Sequence, residues 1–379
     1  MNQKILLRYG ELTLKGKNKI NFIKKLHKNL EAKMIGEVIT THDRAYLEYN
    51  EKNIEQLNFI FGLSSYSIVY ETEANMDKIS ELILKVAKSE KFKTFKVDTK
   101  RSNKNFPLTS QEISMKLGSY ILKNIENISV QMIKPDVTFF VEIRNNVAYV
   151  FGSYIYTRGG MPVGVTGKTL HLMSGGIDSP VAANLMQKRG LIVDYLNFIT
   201  PPHTDFLTTQ KVDALIQQIT KYQLHSRLFQ INYTKVMNYI SLTSNQKYKI
   251  TLMRRSFYRI ADKIAKKYHY ESLSNGENLA QVASQTLESI NVIQQVTNMP
   301  IFRPLISFDK LETIKIAEQI GTYDISIQKA CETCELFAPK EPTTKPSIDE
   351  VLKLEAELPR LEELENEAIE KLEIKKFNS

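Results

Sequence analysis

Two short stretches of this chain hold chemically capable residues at a spacing that suits them. The first is Ser174-Gly175-Gly176-Ile177-Asp178-Ser179-Pro180, which follows an apolar run and precedes a helix-forming one. Gly175 and Gly176 let backbone N–H groups approach an anion with no Cβ in the way, Ser174 and Ser179 add hydroxyl donors, and Pro180 suits the first turn of a helix. The helix N-terminus behind this turn adds a partial positive charge, so the stretch is built to cradle phosphate. It is not the Walker pattern, because no Gly-Lys-Ser/Thr follows. Asp178 would repel a phosphate unless a cation, magnesium or a lysine, lay between them. The second stretch is Cys331-Glu332-Thr333-Cys334, which contains both cysteines of the chain. This spacing favours a lowered thiolate pKa and a reversible disulfide. A zinc or iron–sulfur half-site shared across a dimer, and two unrelated thiols, are the other readings of the same pair. No histidine stands close enough in sequence to complete a metal set.

Around the phosphate-type turn the chain alternates strand and helix. Apolar runs over 169–173, 191–199, 226–231 and 271–273 are each followed by helical spacing, over 180–189, 209–222, 235–242 with 248–268, and 280–297. Such alternation predicts a doubly wound parallel sheet, in which a ligand lies at the carboxyl ends of the strands. The first 165 residues read differently. A strand over 4–7, a helix through Phe22, Ile23, Leu26, Leu30 and Met34, and a hairpin over 38–49 make one small α+β unit. Strands over 66–70, 92–98, 138–142 and 147–151, with helices over 76–89 and 110–125, make a second, its last two strands turning through Arg144-Asn145-Asn146. In that unit the stretch from Lys93 to Pro107 alternates cations with aromatics, a pattern that can grip phosphates and stack on bases. A solvated, amphipathic edge strand has the same pattern. The Gly-rich run Arg158-Gly159-Gly160-Met161-Pro162-Val163-Gly164 marks a linker.

With 379 residues, 42% hydrophobic and 25% charged, the chain is long and apolar enough for several cored domains and lies outside the disordered range. Two cysteines exclude a secreted disulfide framework and point to a reducing cytosol. The start has too short an apolar run for a signal peptide, and no window reaches the roughly 18 apolar residues of a membrane helix, so a soluble cytoplasmic protein is expected. The net charge of +9 is unevenly placed: residues 1–165 carry 25 Lys/Arg against 17 Asp/Glu, residues 166–346 carry 21 against 15, and residues 347–379 carry 5 against 10. The basic body suits a polyanion such as nucleic acid, and a lysine-rich soluble surface would look the same. The acidic tail reads as a charged amphipathic helix pair used in packing or dimer contact, standing apart from the basic surface.

Ser174-Gly175-Gly176-Ile177-Asp178-Ser179 resembles the pyrophosphate (PP) loop of enzymes that split ATP into AMP and pyrophosphate, among them GMP synthetases, NAD synthetases, tRNA lysidine synthetases and tRNA thiolases. Further along, the run from Ser274 to Ser289, Arg303-Pro304-Leu305-Ile306, Asp309-Lys310 and the run from Ile320 to Ile327 resemble the tRNA 4-thiouridine synthase family, which also serves the thiamine pathway. The segment around Lys100-Arg101-Ser102 is similar to the THUMP RNA-binding domain that this family carries behind a ferredoxin-like domain. The resemblance therefore implies an α/β fold: a doubly wound PP-loop ATP pyrophosphatase domain preceded by two small α+β domains. The expected divisions are 1–60 ferredoxin-like, 61–165 THUMP, 166–346 PP-loop domain and 347–379 acidic helical tail.

By position, the resemblance implies ATP contacts at Leu172, Met173, Ser174, Gly175, Gly176, Asp178, Ser179, Asn197, Phe198, Arg254, Gly276 and Gln285. Asn197 departs from the family's usual histidine, and the side chains of Leu172, Met173 and Phe198 also read as plain core. Asp178 and Lys310 match the catalytic pair, Cys334 matches the catalytic cysteine, and Cys331 is the resolving-thiol candidate, three residues before it. Lys96, Lys100, Arg101, Lys104 and Phe106 are the tRNA-binding candidates. The implied cofactors are ATP and Mg2+, the metal arriving with ATP and not held by the protein alone. ATP would adenylate O4 of uridine 8 of a tRNA, and a persulfide on Cys334, supplied by a cysteine desulfurase, would then attack C4. A homodimer is implied, as is sulfur transfer to the thiazole-synthesis carrier protein. That second role is weakened because the chain is expected to lack the rhodanese domain of many relatives, with sulfur delivered directly to the Cys334 loop. Two other readings remain: a related enzyme that adds ammonia or lysine to the adenylated base, and a non-catalytic tRNA-binding protein.

Overall fold

The computed structural model describes residues 3–102, 105–204, 206–329, 337, 339 and 341–379. Cys331, Cys334 and Lys104 lie outside the described residues. The chain divides into two compact units, Met1–Met161 and Pro162–Ser379, with the division inside the Gly-rich run.

The first unit is one mixed sheet, of nine strands among the described residues, in the order β2 (Val38–Thr40), β3 (Arg44–Glu48), β1 (Gln3–Tyr9), β4 (Leu63–Glu73), β8 (Val147–Phe151), β7 (Val137–Arg144), β5 (Thr94–Arg101) and β6 (Ser129–Val130), with β9 (Ile155–Gly159) pairing β4. The long β4 joins what the sequence presents as two small α+β units. Its residues 63–70 pair with β1, while its far end pairs with β8 through Tyr70↔Val150 to Glu73↔Val147. Helices α1 (Lys19–Glu31) and α2 (Glu51–Leu57) belong to the first half; α1 buries Phe22, Ile23, Leu26 and Leu30, the apolar stripe its spacing predicts. Helices α3 (Met76–Ser89) and α4 (Ser110–Asn124) belong to the second, started by an Asn75 cap and a Thr109/Glu112 capping box. The β7–β8 hairpin turns where expected, with Asn145 at φ 45°, a conformation Asn tolerates.

The second unit carries a sheet in the order β14 (Ile301–Phe302), β13 (Ser272–Ser274), β10 (Lys168–Leu172), β11 (Ile192–Ile199), β12 (His225–Asn232) and β15 (Glu373–Asn378). All neighbours are parallel except β12 and β15. The chain runs outward from β10 through β11 to β12, then crosses back to β13 on the other side of β10. The strand order therefore reverses beside β10, and a crevice opens at its carboxyl end. Helices α5 (Asp178–Lys188), α6 (Phe206–Thr220), α7 (Thr234–Ile240) and α8 (Lys249–Tyr268) carry the connections; α9 (Leu287–Gln294), α10 (Lys310–Gln319) and α11 (Tyr323–Ser326) follow β13.

Two expectations about this unit change. The helix expected over 280–297 is confined to α9. Ala280 has φ 62°, its N–H donates to the Gln285 carbonyl, and the Thr286 hydroxyl accepts from Ser289 N–H, so the helix starts only at Leu287. The tail forms the expected two helices, α12 (Ile348–Ala356) and α13 (Leu361–Glu370), and then adds β15 as an antiparallel edge strand. Nor does it stand apart. Glu365, with no exposed surface, accepts from the Arg259 guanidinium at 2.7 Å, and Glu355 accepts from Arg255 and Arg259 at 3.0 and 2.6 Å. Glu355, Glu362 and Glu365 of the tail thus pair with cations of α8.

Candidate active site

β10 ends at Leu172 and α5 starts at Asp178, so residues 173–177 form a turn between a strand end and a helix start. Among the described residues no side chain caps α5, which suits its first-turn N–H groups to a ligand or solvent. The turn is closed from inside. Ser179 Oγ accepts the Ser174 N–H at 3.1 Å, donates to the Leu172 carbonyl at 3.2 Å and lies 3.1 Å from His171 Nε2. The hydroxyl read from sequence as a phosphate donor is thus a buckle for the loop. Met173 N–H donates to the Leu196 carbonyl at 2.8 Å, and Asn197 Nδ2 donates to the Met173 carbonyl at 2.9 Å, tying the loop to β11.

All twelve residues expected to touch the nucleotide line one cavity of about 490 Å³. The loop shares its lining with the apolar side chains of Leu196, Val212, Ile250 and Phe257, and Phe198 is stacked on Phe257 at 3.9 Å between ring centres. An anion cradle opening into an apolar, aromatic slot is complementary to a phosphorylated planar base. Gly276 has a specific reason to be glycine: a Cβ there would lie 2.9 Å from both Asp178 C and Ser179 N, backbone atoms that cannot swing aside.

At the mouth, the Asp178 carboxylate is held on both oxygens. Lys310 Nζ donates to Oδ1 at 2.8 Å and Gln281 Nε2 to Oδ2 at 2.8 Å. Lys310 is aimed by its helix, whose start is fixed by an Asp309/Glu312 capping box. Among the described residues no three His, Cys, Asp or Glu side chains gather as a metal cage. A single carboxylate fits a magnesium ion whose other ligands are phosphate oxygens and water.

Arg254 lines the cavity but does not face it with all its donors. One nitrogen donates to Ser284 Oγ at 2.9 Å and another to Glu277. Glu277 is buried, and also accepts from Arg303 and, at 3.3 Å, from the Tyr258 hydroxyl. Burial would raise its pKa; Arg254 and Arg303 reverse this and hold the carboxylate below its usual value. Glu277, Arg303 and Gln281 fall within or beside the sequence motifs, but the ion pairs of Glu277 span 23 and 26 residues and the Gln281–Asp178 contact spans 103, so they carry no local signal.

Of the RNA candidates in the first unit, Lys100 is exposed and Lys96 half-buried on β5, which beyond Phe95 pairs, among the described residues, with β7 alone. Phe106 is corrected: it packs into the core with Ile113 and Leu117, so its ring offers no base-stacking face. Arg101 donates to the Phe106 carbonyl at 2.9 Å.

Three family models cover most of the chain: the ThiI ferredoxin-like domain over residues 4–67, the THUMP domain over 73–152 and the Thiamine biosynthesis protein (ThiI) over 164–359. The "Probable tRNA sulfurtransferase" of Metamycoplasma arthritidis (strain 158L3-1) is 56% identical over 381 residues, covering 100% of both chains. That of Mycoplasmopsis agalactiae (strain NCTC 10123 / CIP 59.7 / PG2) is 52% identical over 97% of each. A crystal structure of a 4-thiouridine synthetase–RNA complex with bound ATP matches with a TM-score of 0.93 and 34% identity, covering 100% of both chains. End-to-end identity above one half to these relatives, together with the family model over residues 164–359, settles the lineage: the chain belongs to the ThiI family.

Proposed function

We propose that this chain is an ATP-dependent tRNA sulfurtransferase that makes 4-thiouridine at position 8 of tRNA. The observation that carries the reading is the Asp178–Lys310 pair, 2.8 Å apart, with Asp178 in the wall of a cavity that the loop shares with apolar and aromatic side chains. The likeness to a 4-thiouridine synthetase solved with RNA and ATP supports both substrates.

In this reading ATP lies with its base against Phe198 and Phe257 and its β- and γ-phosphates on the loop. Uridine O4 attacks the α-phosphorus and pyrophosphate leaves, so the uridine oxygen becomes part of an AMP leaving group. Lys310 offsets charge that develops on the transferring phosphoryl group, and Asp178 holds the Lys310 ammonium in place. Magnesium, held by Asp178 with the phosphates, would supply further charge neutralisation. A persulfide on Cys334, its outer sulfur donated by a cysteine desulfurase, attacks C4 and AMP leaves. Cys331 thiolate then attacks Cys334 Sγ, releasing 4-thiouridine and leaving a Cys331–Cys334 disulfide for a dithiol reductant to reopen. Lys96, Lys100, Arg101 and Lys104 contribute to tRNA phosphate binding. The domain divisions at 60/61, 165/166 and 346/347, the homodimer and the cytoplasmic setting belong to the same proposal. No described helix is long and apolar enough to cross a membrane, which is compatible with that setting.

The match to a family described by thiamine biosynthesis favours a second acceptor for the same persulfide, the sulfur carrier protein of thiazole synthesis. Nucleoside analysis of tRNA from cells lacking this protein tests the main reading. Loss of 4-thiouridine is expected, and unchanged 4-thiouridine would refute it; a requirement for thiazole in the same cells tests the second acceptor.

A further inference from the structure

His171 has no exposed surface, one residue before the end of a core strand. A buried imidazole is tolerated when its ring nitrogens find partners. Nδ1 lies 2.9 Å from Ser274 Oγ at the end of β13, and Nε2 lies 3.1 Å from Ser179 Oγ in the first turn of α5. Thr169 extends the chain of contacts, its hydroxyl 3.3 Å from Ser274 Oγ and 3.2 Å from the Ser272 carbonyl. One arrangement of protons satisfies every group: Thr169 donates to the Ser272 carbonyl, Ser274 to Nδ1, Nε2–H to Ser179, and Ser179 to the Leu172 carbonyl while it accepts the Ser174 N–H. A neutral ring, with one proton to give and one lone pair to accept, is the form this needs. Burial favours that form, pushing the pKa down to about 3.

We propose that His171 is a positioning residue for the phosphate loop: through Ser179 and Ser274 it pins the start of α5 to the end of β13, and so keeps the loop's backbone N–H groups aimed at one anion. The inference rests on the nucleotide reading and gives a role to a side chain that touches no ligand. A leucine at 171 fills the space but leaves Ser179 and Ser274 without their shared partner, so the loop relaxes while the apolar slot around Phe198 and Phe257 stays as it is. The loss should therefore fall on the pyrophosphate end of the cavity and spare the base end.

The test measures binding of inorganic pyrophosphate, and separately of AMP, to the full-length protein by calorimetry, for wild type, His171→Leu and His171→Gln. Expected is a pyrophosphate Kd raised about tenfold or more in His171→Leu, on the scale of one or two lost buried hydrogen bonds. AMP affinity should stay within about twofold, and His171→Gln, which keeps a donor near the Nε2 place, should recover most of the loss. Ser274→Ala removes only the Nδ1 partner and should move the same way by less, which keeps the test available if His171→Leu does not fold. Wild-type pyrophosphate affinity in His171→Leu, or in Ser274→Ala where His171→Leu does not fold, overturns the proposal. So does an equal loss for both probes, which marks general loosening. A wild-type protein that binds neither probe overturns the nucleotide reading and this proposal together.

Discussion

Lys310 Nζ stands 2.8 Å from Asp178 Oδ1, and the two are the first residues of α10 and α5. A cation on the first turn of a helix opposes the helix dipole, so the placement of Lys310 is locally unfavourable. Both side chains keep contact with solvent, at 46% and 21% exposure, and a pair of that kind contributes only about 0–1 kcal/mol to stability. A locally disfavoured charge with little structural return points to function.

Lys310→Met should accordingly lower the rate of tRNA-dependent pyrophosphate release by about 100-fold or more, the scale of losing one preorganised charge donor, with Tm nearly unchanged. Steady-state pyrophosphate assays beside a thermal melt separate the two effects. A melt lowered in proportion to activity would make the pair structural.

Gly276→Ala places a methyl where Asp178 and Ser179 backbone atoms already stand 2.9 Å away. Either the loop or the end of β13 must shift, at a cost of about 1–3 kcal/mol. The KM for ATP should rise, since the displaced atoms begin α5; denaturant titration and KM measured on one preparation check both halves.

The tail is expected to be part of the second unit's stability. Glu365 is fully buried against Arg259, which keeps Glu355 as a second partner and 21% of its own surface exposed, so removing Glu365 costs the charged hydrogen bonds alone, about 1.5–3 kcal/mol. Glu365→Leu should lower the unfolding free energy from urea titration by that measure, with an unchanged slope. A change below about 1 kcal/mol would mean that the tail is dispensable to the fold.

His171 also predicts a pH dependence. Its folded pKa is pushed down to about 3, chiefly by burial and against a weaker pull from the Ser179 hydrogen bond, whereas an exposed imidazole titrates near 6.5. Below about pH 6.5 the unfolded chain takes up a proton that the folded chain refuses, so stability falls on acidification by up to about 1.4 kcal/mol per pH unit until about pH 3. The slope fades above pH 6.5 and is nearly gone by about pH 7.5. His171→Gln removes this contribution, so its stability deficit against wild type should shrink by about 1.4 kcal/mol between about pH 7.5 and 5.5, as urea titrations at the two values would register.

What could be read from the sequence was what is local. The turn at 173–177 depends on adjacent Gly and Ser residues between an apolar strand and a helix, and the structure has it between β10 and α5, with Ser179 turned inward. The stretch 280–286 misled because Ala280, Val282 and Ala283 continue an apolar helical rhythm, while a positive φ at Ala280 and the Thr286 cap are tertiary choices with weak local signals. Phe106 was read from an alternation with cations, yet its ring meets α4 residues that lie beyond that stretch. Gly276 against Asp178, Glu277 between two arginines and β15 beside β12 are all meetings of residues far apart in sequence, and periodicity does not report them.

The most direct measurement combines purified protein, unmodified tRNA transcript, ATP with magnesium, and a cysteine desulfurase with cysteine, and quantifies 4-thiouridine and AMP by mass spectrometry. The account predicts 4-thiouridine formed with AMP in equal amounts, none without ATP and none with Cys334→Ala. Thiolation that survives without ATP, or that Cys334→Ala leaves at the wild-type level, would contradict it.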